Sequence, residues 1–130
     1  MFALDANAII HAFKGHGRVR DRIVTRSPAE LCIPAIVLYE IEFGTLQSRN
    51  PKQRRQDLER LVRVLQILPF DGNAAQRAAE IRSDLAKAGK SIGPLDTLIA
   101  GTVLASGAVL VTNNTNEFSR IPGLRLEDWT

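Results

Sequence analysis

The 130-residue sequence has little cysteine, histidine or aromatic character and contains no long hydrophobic run. Its single cysteine, Cys32, excludes an internal disulfide, and its place in the apolar stretch LCIPAI predicts a buried side chain. Cys32, His11 and His16 lack the spacing of a zinc site. Aromatic residues make up only 5% of the chain, which argues against single-strand binding by rows of stacking rings.

The hydrophobic pattern also speaks against a membrane protein. No segment approaches the ~20 apolar residues of a membrane span, and the N-terminus lacks the basic-then-apolar layout of a signal peptide. We therefore expect a cytoplasmic protein with no membrane partner. A hydrophobic content of 45% and a charged content of 24% are typical of a globular protein, and the length predicts one domain over residues 1–130.

Positive charge is in modest excess, with a net charge of +3 and a pI near 9.5. Two interpretations of the basic residues are open. They form a face that meets phosphates, or they are solvated helix faces with ion pairs such as Arg54 with Asp57 or Glu59 with Arg63. The basic residues fall into two groups: Arg18, Arg20, Arg22 and Arg26, then Arg49, Lys52, Arg54, Arg55, Arg60 and Arg63.

Short apolar segments alternate with longer helical patterns along the chain. Strands are predicted at 2–5, within 30–36, and at 67–70, 108–112 and 124–129. Helices are predicted at 6–13, 19–25, 35–48, from 51 to about 65, 72–90 and 94–106. This alternation indicates an α/β fold with a parallel sheet covered on both faces. Sites in such sheets form at the carboxyl ends of strands, near the point where the strand order reverses.

Two aspartates stand where strands and helices meet. Asp5 ends the first predicted strand, where a helix N-cap is the simpler explanation. Asp96 lies in the first turn after Pro94, where a carboxylate suits the positive end of a helix. The helix that follows Pro94 is hydrophobic nearly all round and is expected to be central and buried. Asp96 is therefore an acid beside the core.

Glu40 interrupts an apolar helix face, which is uncommon for a glutamate. A buried ion pair with an arginine is the alternative explanation for this residue. Glu42 falls on the opposite side, where a solvated acid is expected. Helical spacing places Glu40 on one arc with Ile36, Phe43, Val37 and Gly44.

A polar loop is predicted after the fourth strand, in the stretch VTNNTNEF. Its asparagines are typical of a plain turn, because asparagine tolerates unusual backbone angles. The loop comprises Asn113, Asn114, Thr115, Asn116 and Glu117.

A parallel sheet would bring Asp5, Glu40, Asp96 and Glu117 to one edge. Four carboxylates gathered there would repel one another and rise in pKa, and a divalent cation removes that conflict. Mg²⁺ and Mn²⁺ prefer oxygen ligands of this kind. With these four acids set aside, 10 acidic residues remain against 17 basic ones, a balance of +7 around an acidic pocket. Such a surface suits a phosphodiester substrate.

Several of these segments resemble one family closely. LDAN at 4–7, YEIEFG around Glu40, SIGPLDTLIAG at 91–101 and VTNNTNEFSRIPGLRLEDW at 111–129 resemble the VapC toxins of bacterial toxin–antitoxin pairs, which are PIN-domain ribonucleases. The resemblance covers nearly the whole chain. It implies a three-layer α/β/α sandwich around a mostly parallel sheet and a Mg²⁺- or Mn²⁺-dependent endoribonuclease. It also implies a homodimer, a cognate VapB antitoxin and an RNA substrate, with initiator tRNA cut in its anticodon loop.

Position by position, the resemblance assigns the site. Asp5, Glu40, Asp96 and Glu117 match the four family acids and are the expected catalytic residues. Asp5 and Asp96 are the expected metal ligands, and Glu40 and Glu117 complete the site directly or through water. Asn7 and Asn114 are expected as supporting polar residues. The chain departs from the family at Ala6, which stands where a threonine or serine hydroxyl is usual.

Other functions fit the residues less well or stay open. A receiver domain requires a second early acid and a late lysine, and no lysine follows Lys90. A haloacid-dehalogenase-type phosphatase requires a second aspartate where Asn7 stands. A DNA-directed nuclease of the same fold and a non-catalytic module that binds RNA or a partner stay open as alternatives.

Overall fold

A computed structural model describes all 130 residues. Its strands are β1 (Phe2–Leu4), β2 (Leu31–Pro34), β3 (Gln66–Leu68), β4 (Val109–Val111) and β5 (Leu126–Glu127). Its helices are α1 (Ala6–Lys14), α2 (Val19–Val24), α3 (Ala35–Leu46), α4 (Pro51–Val64), α5 (Gly72–Lys87), α6 (Pro94–Ser106) and α7 (Thr115–Phe118). A short 3-10 turn at Pro28–Glu30 precedes β2. No helix combines the length and the apolar character that crossing a membrane requires.

The five strands form one sheet in the order β3-β2-β1-β4-β5, and every neighbouring pair is parallel. From β1 the chain moves outward to β2 and β3, then crosses back to the other side of β1 to form β4 and β5. The strand order therefore reverses between β1 and β4. Helices cover both faces of the sheet, which confirms the predicted α/β/α sandwich with a sheet that is parallel throughout.

Buried strands explain the short apolar segments of the sequence. All four residues of β2 are buried, as expected where helices cover both faces of a parallel sheet. Cys32 lies in this strand, and burial raises the pKa of its thiol to about 11, which leaves it unreactive as predicted.

The C-terminal EDW stretch contributes to the core. Trp129 is only 2% exposed, and its ring centroid lies 5.2 Å from that of Phe2. The Arg26 guanidinium lies over both rings, 4.8 Å from the Phe2 centroid and 4.5 Å from the Trp129 centroid. The EDW stretch, which is part of the family resemblance, thus holds the C-terminal residues against β1.

Helix α6 is buried on most of its surface, as its composition predicted, and it lies directly against α5. Gly101 makes that contact possible. A Cβ atom added there would lie 2.7 Å from both the Cβ and the backbone nitrogen of Ala78, which is closer than real Cβ atoms approach. The two helix backbones therefore meet at a position that only glycine fills without displacement.

Two predictions about local structure are wrong. The stretch predicted as a polar loop contains α7, because Phe118 is fully buried and its N–H bonds to the Asn114 carbonyl at 3.3 Å. The arc predicted as the inner face of α3 is also wrong in part, since Phe43 is 59% exposed and Gly44 is exposed. The buried row of α3 is Val37, Ile41 and Thr45.

Several strands and helices begin or end a few residues away from their predicted bounds. The strand predicted at 67–70 lies at Gln66–Leu68, and the strand predicted at 124–129 is only Leu126–Glu127. The helices predicted to end at 48 and 90 end at Leu46 and Lys87.

Candidate active site

Asp5 lies at the reversal point of the sheet. It directly follows β1, and its N–H continues the pairing with β4 by donating to the Val111 carbonyl at 3.0 Å. One carboxylate oxygen, Oδ1, accepts from the Ala6 N–H at 2.9 Å at the start of α1, so the N-cap explanation holds as well. The other oxygen, Oδ2, accepts from the Thr112 hydroxyl at 2.7 Å.

Burial dominates the electrostatics of Asp5. It raises the pKa of the carboxyl group above its ordinary value, although the hydrogen bonds from Thr112 and Ala6 act in the opposite direction. The ionised form is thus held by two donors and is still disfavoured in the isolated chain.

Glu40 and Asp96 face Asp5 from two different helices. Burial raises the pKa of Glu40, and the negative charge of Asp5 raises it further. Burial also raises the pKa of Asp96, to about 7, with contributions from a hydrogen bond to Glu117 and from the charges of Asp5, Glu117 and Glu40. These mutual effects show that the structure brings the four predicted acids into one cluster.

The two asparagines predicted as supporting residues behave differently. Asn114 donates from its backbone N–H to the Thr112 hydroxyl at 3.0 Å and from Nδ2 to the Glu117 carboxylate at 3.3 Å. Asn7 instead donates from Nδ2 to Asn113 Oδ1 at 3.3 Å. Asn114 therefore holds one of the acids, whereas Asn7 braces the start of the loop that follows β4.

No basic side chain neutralises the four acids. The ion pairs of the structure join Arg54 to Asp57, Arg55 to Glu42 and Arg77 to Glu80. The alternative of an arginine paired with Glu40 is therefore wrong. Glu42, predicted to be solvated, is half-buried and reaches Arg55 on α4 at 2.7 Å. The pair predicted between Glu59 and Arg63 does not form.

The donor set fits a divalent cation. Every group of the cluster offers oxygen, and uncompensated negative charge is what such an ion removes. No three acidic, histidine or cysteine side chains already converge as a ready-made ligand set. Mg²⁺ requires only one or two carboxylates and completes its shell with water and phosphate oxygens, which suits a pair such as Asp5 and Asp96.

Sequence reasoning missed Thr112. Its hydroxyl bonds to Asp5 Oδ2 and accepts from the Asn114 N–H, so it links the residues after β1 to those after β4. Ala6 contributes only its backbone N–H. The signal for Thr112 was its place at the end of a predicted strand, and only the adjacency of β1 and β4 brings it beside Asp5.

An apolar cleft lies away from the four acids. A cleft of about 640 Å³ opens between α5 and the start of α6, and none of the four acids lines it. Its walls are mainly apolar and include Phe70, Ala78, Arg82, Ile92 and Leu98. The acid cluster is therefore distinct from this cleft, and its position follows the strand ends.

Comparison with known proteins assigns the family. The family model of the PIN domain matches residues 2–124 of this chain. The tRNA(fMet)-specific endonuclease VapC of Shigella flexneri is 37% identical over 130 residues, which cover 99% of this chain and 98% of that protein. Ribonuclease VapC2 of Rickettsia felis is 33% identical over 131 residues, with 99% and 98% covered. The chain belongs to the VapC family of PIN-domain proteins.

Solved VapC-family structures confirm the fold. VapBC from Salmonella typhimurium, crystallised with DNA, matches with a TM-score of 0.91 and 37% identity over 99% of this chain and 98% of that one. VapBC2 from Rickettsia felis, bound to a DNA fragment of its promoter, matches with a TM-score of 0.91 and 32% identity over 99% and 98%. The family and the fold predicted from the sequence are confirmed.

Proposed function

We propose that this chain is the toxin of a VapBC toxin–antitoxin pair and a metal-dependent endoribonuclease that hydrolyses a phosphodiester of tRNA. The observation that carries this proposal is the cluster of four carboxylates at the reversal of the sheet with no basic side chain paired to them. The names of the relatives support a nuclease, and the VapC of Shigella flexneri makes initiator tRNA the proposed substrate.

Asp5 and Asp96 would hold Mg²⁺ or Mn²⁺, with Glu40 and Glu117 completing the site directly or through water. Such an ion, when bound, supplies charge that makes water a better nucleophile and stabilises negative charge on the phosphoryl oxygens. Thr112 orients Asp5 through Oδ2, and Asn114 orients Glu117. Asp96, whose pKa rises to about 7 in the metal-free chain, would hold the cation as the ionised carboxylate.

The structure separates the basic residues into two sets. Arg26 stacks on Phe2 and Trp129, Arg54 lies over Phe13, and Arg55 pairs with Glu42, so these three contribute to the fold. The exposed remainder would contact the RNA backbone, which positions a substrate without reading its bases. Within the two groups of basic residues, that remainder is Arg18, Arg20, Arg49, Lys52, Arg60 and Arg63, and Arg22 is half-buried.

A cognate VapB antitoxin would cover the apolar row of α3. Tyr39, Phe43 and Leu46 are 58%, 59% and 70% exposed, and they follow the spacing of one helix face. Glu40 lies on the same helix, so a partner that covers this row comes within reach of the acids. An apolar helix of the antitoxin is the occupant we propose for this face.

Cleavage of a total tRNA pool tests the activity. The antitoxin-free protein is incubated with Mg²⁺, with Mn²⁺ and with chelator, beside the variants Asp96→Asn and Glu80→Gln. We expect metal-dependent cutting of initiator tRNA that Asp96→Asn reduces by at least about 100-fold, since changing even an outer partner of a metal ligand typically costs about 10–100-fold. Glu80→Gln, which changes an acid paired with Arg77 on the surface of α5, should leave cleavage unchanged.

Other outcomes would identify the alternatives. Cutting of a DNA strand of the same sequence in preference to the RNA would indicate a DNA-directed nuclease. Tight tRNA binding by folded protein without cutting under any metal condition would indicate a binding module. Equal cutting by the wild type and Asp96→Asn would contradict the assignment of Asp96.

A further inference from the structure

Two acids of the cluster come from segments that are distant along the chain. Asp96 lies in the first turn of α6, and Glu117 lies in the four-residue helix α7. The carboxyl groups of Asp96 and Glu117 nevertheless lie within hydrogen-bonding reach of each other. The separation of these two carboxyl groups therefore depends on how α7 is held relative to the start of α6.

Arg120 makes that connection. Its backbone N–H donates to the Glu117 carbonyl at 3.1 Å, which closes the turn at the end of α7. Its guanidinium Nη1 donates to the Ser91 carbonyl at 3.1 Å, in the loop that leads into α6. No other hydrogen bond joins residues 88–93 to residues 113–125.

The loop before α6 is hydrogen-bonded to the first turn of the helix that carries Asp96. The Gly93 carbonyl accepts from both the backbone N–H and the hydroxyl of Thr97, each at 3.0 Å. Ile92 is half-buried against the core. A restraint applied at Ser91 is therefore transmitted within two residues to α6.

The contribution of Arg120 is geometric. Arg120 forms no ion pair with any of the four acids, since the ion pairs of the structure join other residues. The Arg120 guanidinium instead donates its hydrogen bond to the backbone carbonyl of Ser91.

We propose that Arg120 is a positioning residue that sets the separation of Glu117 and Asp96 by tying α7 to the loop before α6. Its importance for catalysis rests on the proposed function, whereas the restraint itself does not. Arg125 makes a comparable contact with the backbone at the opposite edge of the sheet. Its guanidinium donates to the carbonyl of Gly107, which precedes β4, at 2.6 Å.

The test compares Arg120→Gln and Arg120→Lys with the matched control Arg125→Gln. Amide hydrogen exchange is measured on the metal-free proteins, Mn²⁺ affinity by calorimetry, and kcat and KM on initiator tRNA. For Arg120→Gln we expect faster exchange at 88–93 and 113–120, and a loss of Mn²⁺ affinity and of kcat of about threefold to tenfold each, the worth of one hydrogen bond. KM should not change, and Arg120→Lys should restore part of each loss.

Arg125→Gln is expected to change exchange only near Gly107 and to leave Mn²⁺ affinity and kcat unaltered. A raised KM in Arg120→Gln with unchanged exchange and Mn²⁺ affinity would overturn the proposal, because Arg120 would then contact RNA. The same losses in Arg125→Gln would overturn it too. If the wild type cuts no RNA, exchange and Mn²⁺ affinity still decide the role of Arg120 separately from the nuclease.

Discussion

Single residues set the charge balance of the cluster. Asn114 donates to the carboxylate of Glu117, and Thr112 and Ala6 donate to that of Asp5, but the two bonds to Asp5 do not offset its burial. Asp96 carries the largest consequence, because the pKa of its carboxyl rises from an ordinary 3.8 to about 7. A neutral amide at this position removes the charge that the metal-free protein tolerates poorly.

The stability of the metal-free protein should therefore fall as pH rises. Between about pH 4 and pH 7 the folded chain keeps the Asp96 proton that the unfolded chain has already released, so the free energy of unfolding decreases across this window. We expect Asp96→Asn to match the wild type in Tm at pH 4 and to exceed it by a few degrees at pH 8. The half-exposed position of Asp96 keeps this difference small.

Thermal unfolding in chelator over this pH range is the measurement. Mn²⁺ should raise the Tm of the wild type at pH 8 and raise it by less at pH 6. The Tm of Asp96→Asn should not change on addition of Mn²⁺. Glu80→Gln, which changes an acid on the surface of α5, serves as the control variant. A Tm gap between Asp96→Asn and the wild type that closes as pH rises would contradict the direction of the pKa shift.

At the scale of elements, the site depends on how the helices that carry the acids are seated. Helix α6 presents Asp96 at the sheet edge because its buried residues pack against the sheet and against α5. Gly101 sets the distance between α5 and α6, whereas Gly44 in α3 has open space around it. These two helical glycines allow a matched comparison.

We expect Gly101→Ala to destabilise the protein by about 1–3 kcal/mol, the usual cost of inserting a methyl group into a filled interior. The neighbouring atoms include the Ala78 nitrogen and the Ala74 carbonyl oxygen, and backbone atoms cannot move aside cheaply. Gly44→Ala should instead be neutral or stabilise by up to about 1 kcal/mol, because alanine is the better helix former. Urea unfolding of both variants measures this, and equal effects would contradict the close contact of α5 and α6.

At the scale of the molecule, a positively charged protein carries an acidic cluster beside an exposed apolar helix face. The PIN-domain match ends at residue 124, yet Trp129 packs on Phe2, which supports our proposal that residues 1–130 form a single domain. The predicted homodimer stays a prediction. An apolar helix of the antitoxin over α3 would leave its flanking residues close to Glu40.

We predict that the antitoxin inhibits by placing an arginine among the carboxylates and displacing the cation. A guanidinium forms paired hydrogen bonds with a carboxylate and supplies the positive charge that the cluster lacks. The purified complex should be inactive and bind Mn²⁺ at least about tenfold more weakly than the free toxin. Replacing that arginine with alanine in the antitoxin should restore Mn²⁺ binding, and Leu46→Ser in the toxin should weaken the complex. A fully active complex with its metal bound would contradict the prediction.

Local patterns along the sequence determined much of this protein: the alternation of strands and helices, the buried character of α6, and the acids at strand ends and helix starts. These depend on neighbours within a few residues, so composition and spacing reveal them. The tertiary structure decided which row of α3 is buried, the bond from Thr112 to Asp5 across 107 positions, and the bond from Arg120 to Ser91. The bond from Thr112 to Asp5 exists only because β4 lies beside β1, and strand order is set by how the whole chain packs, which no local pattern contains.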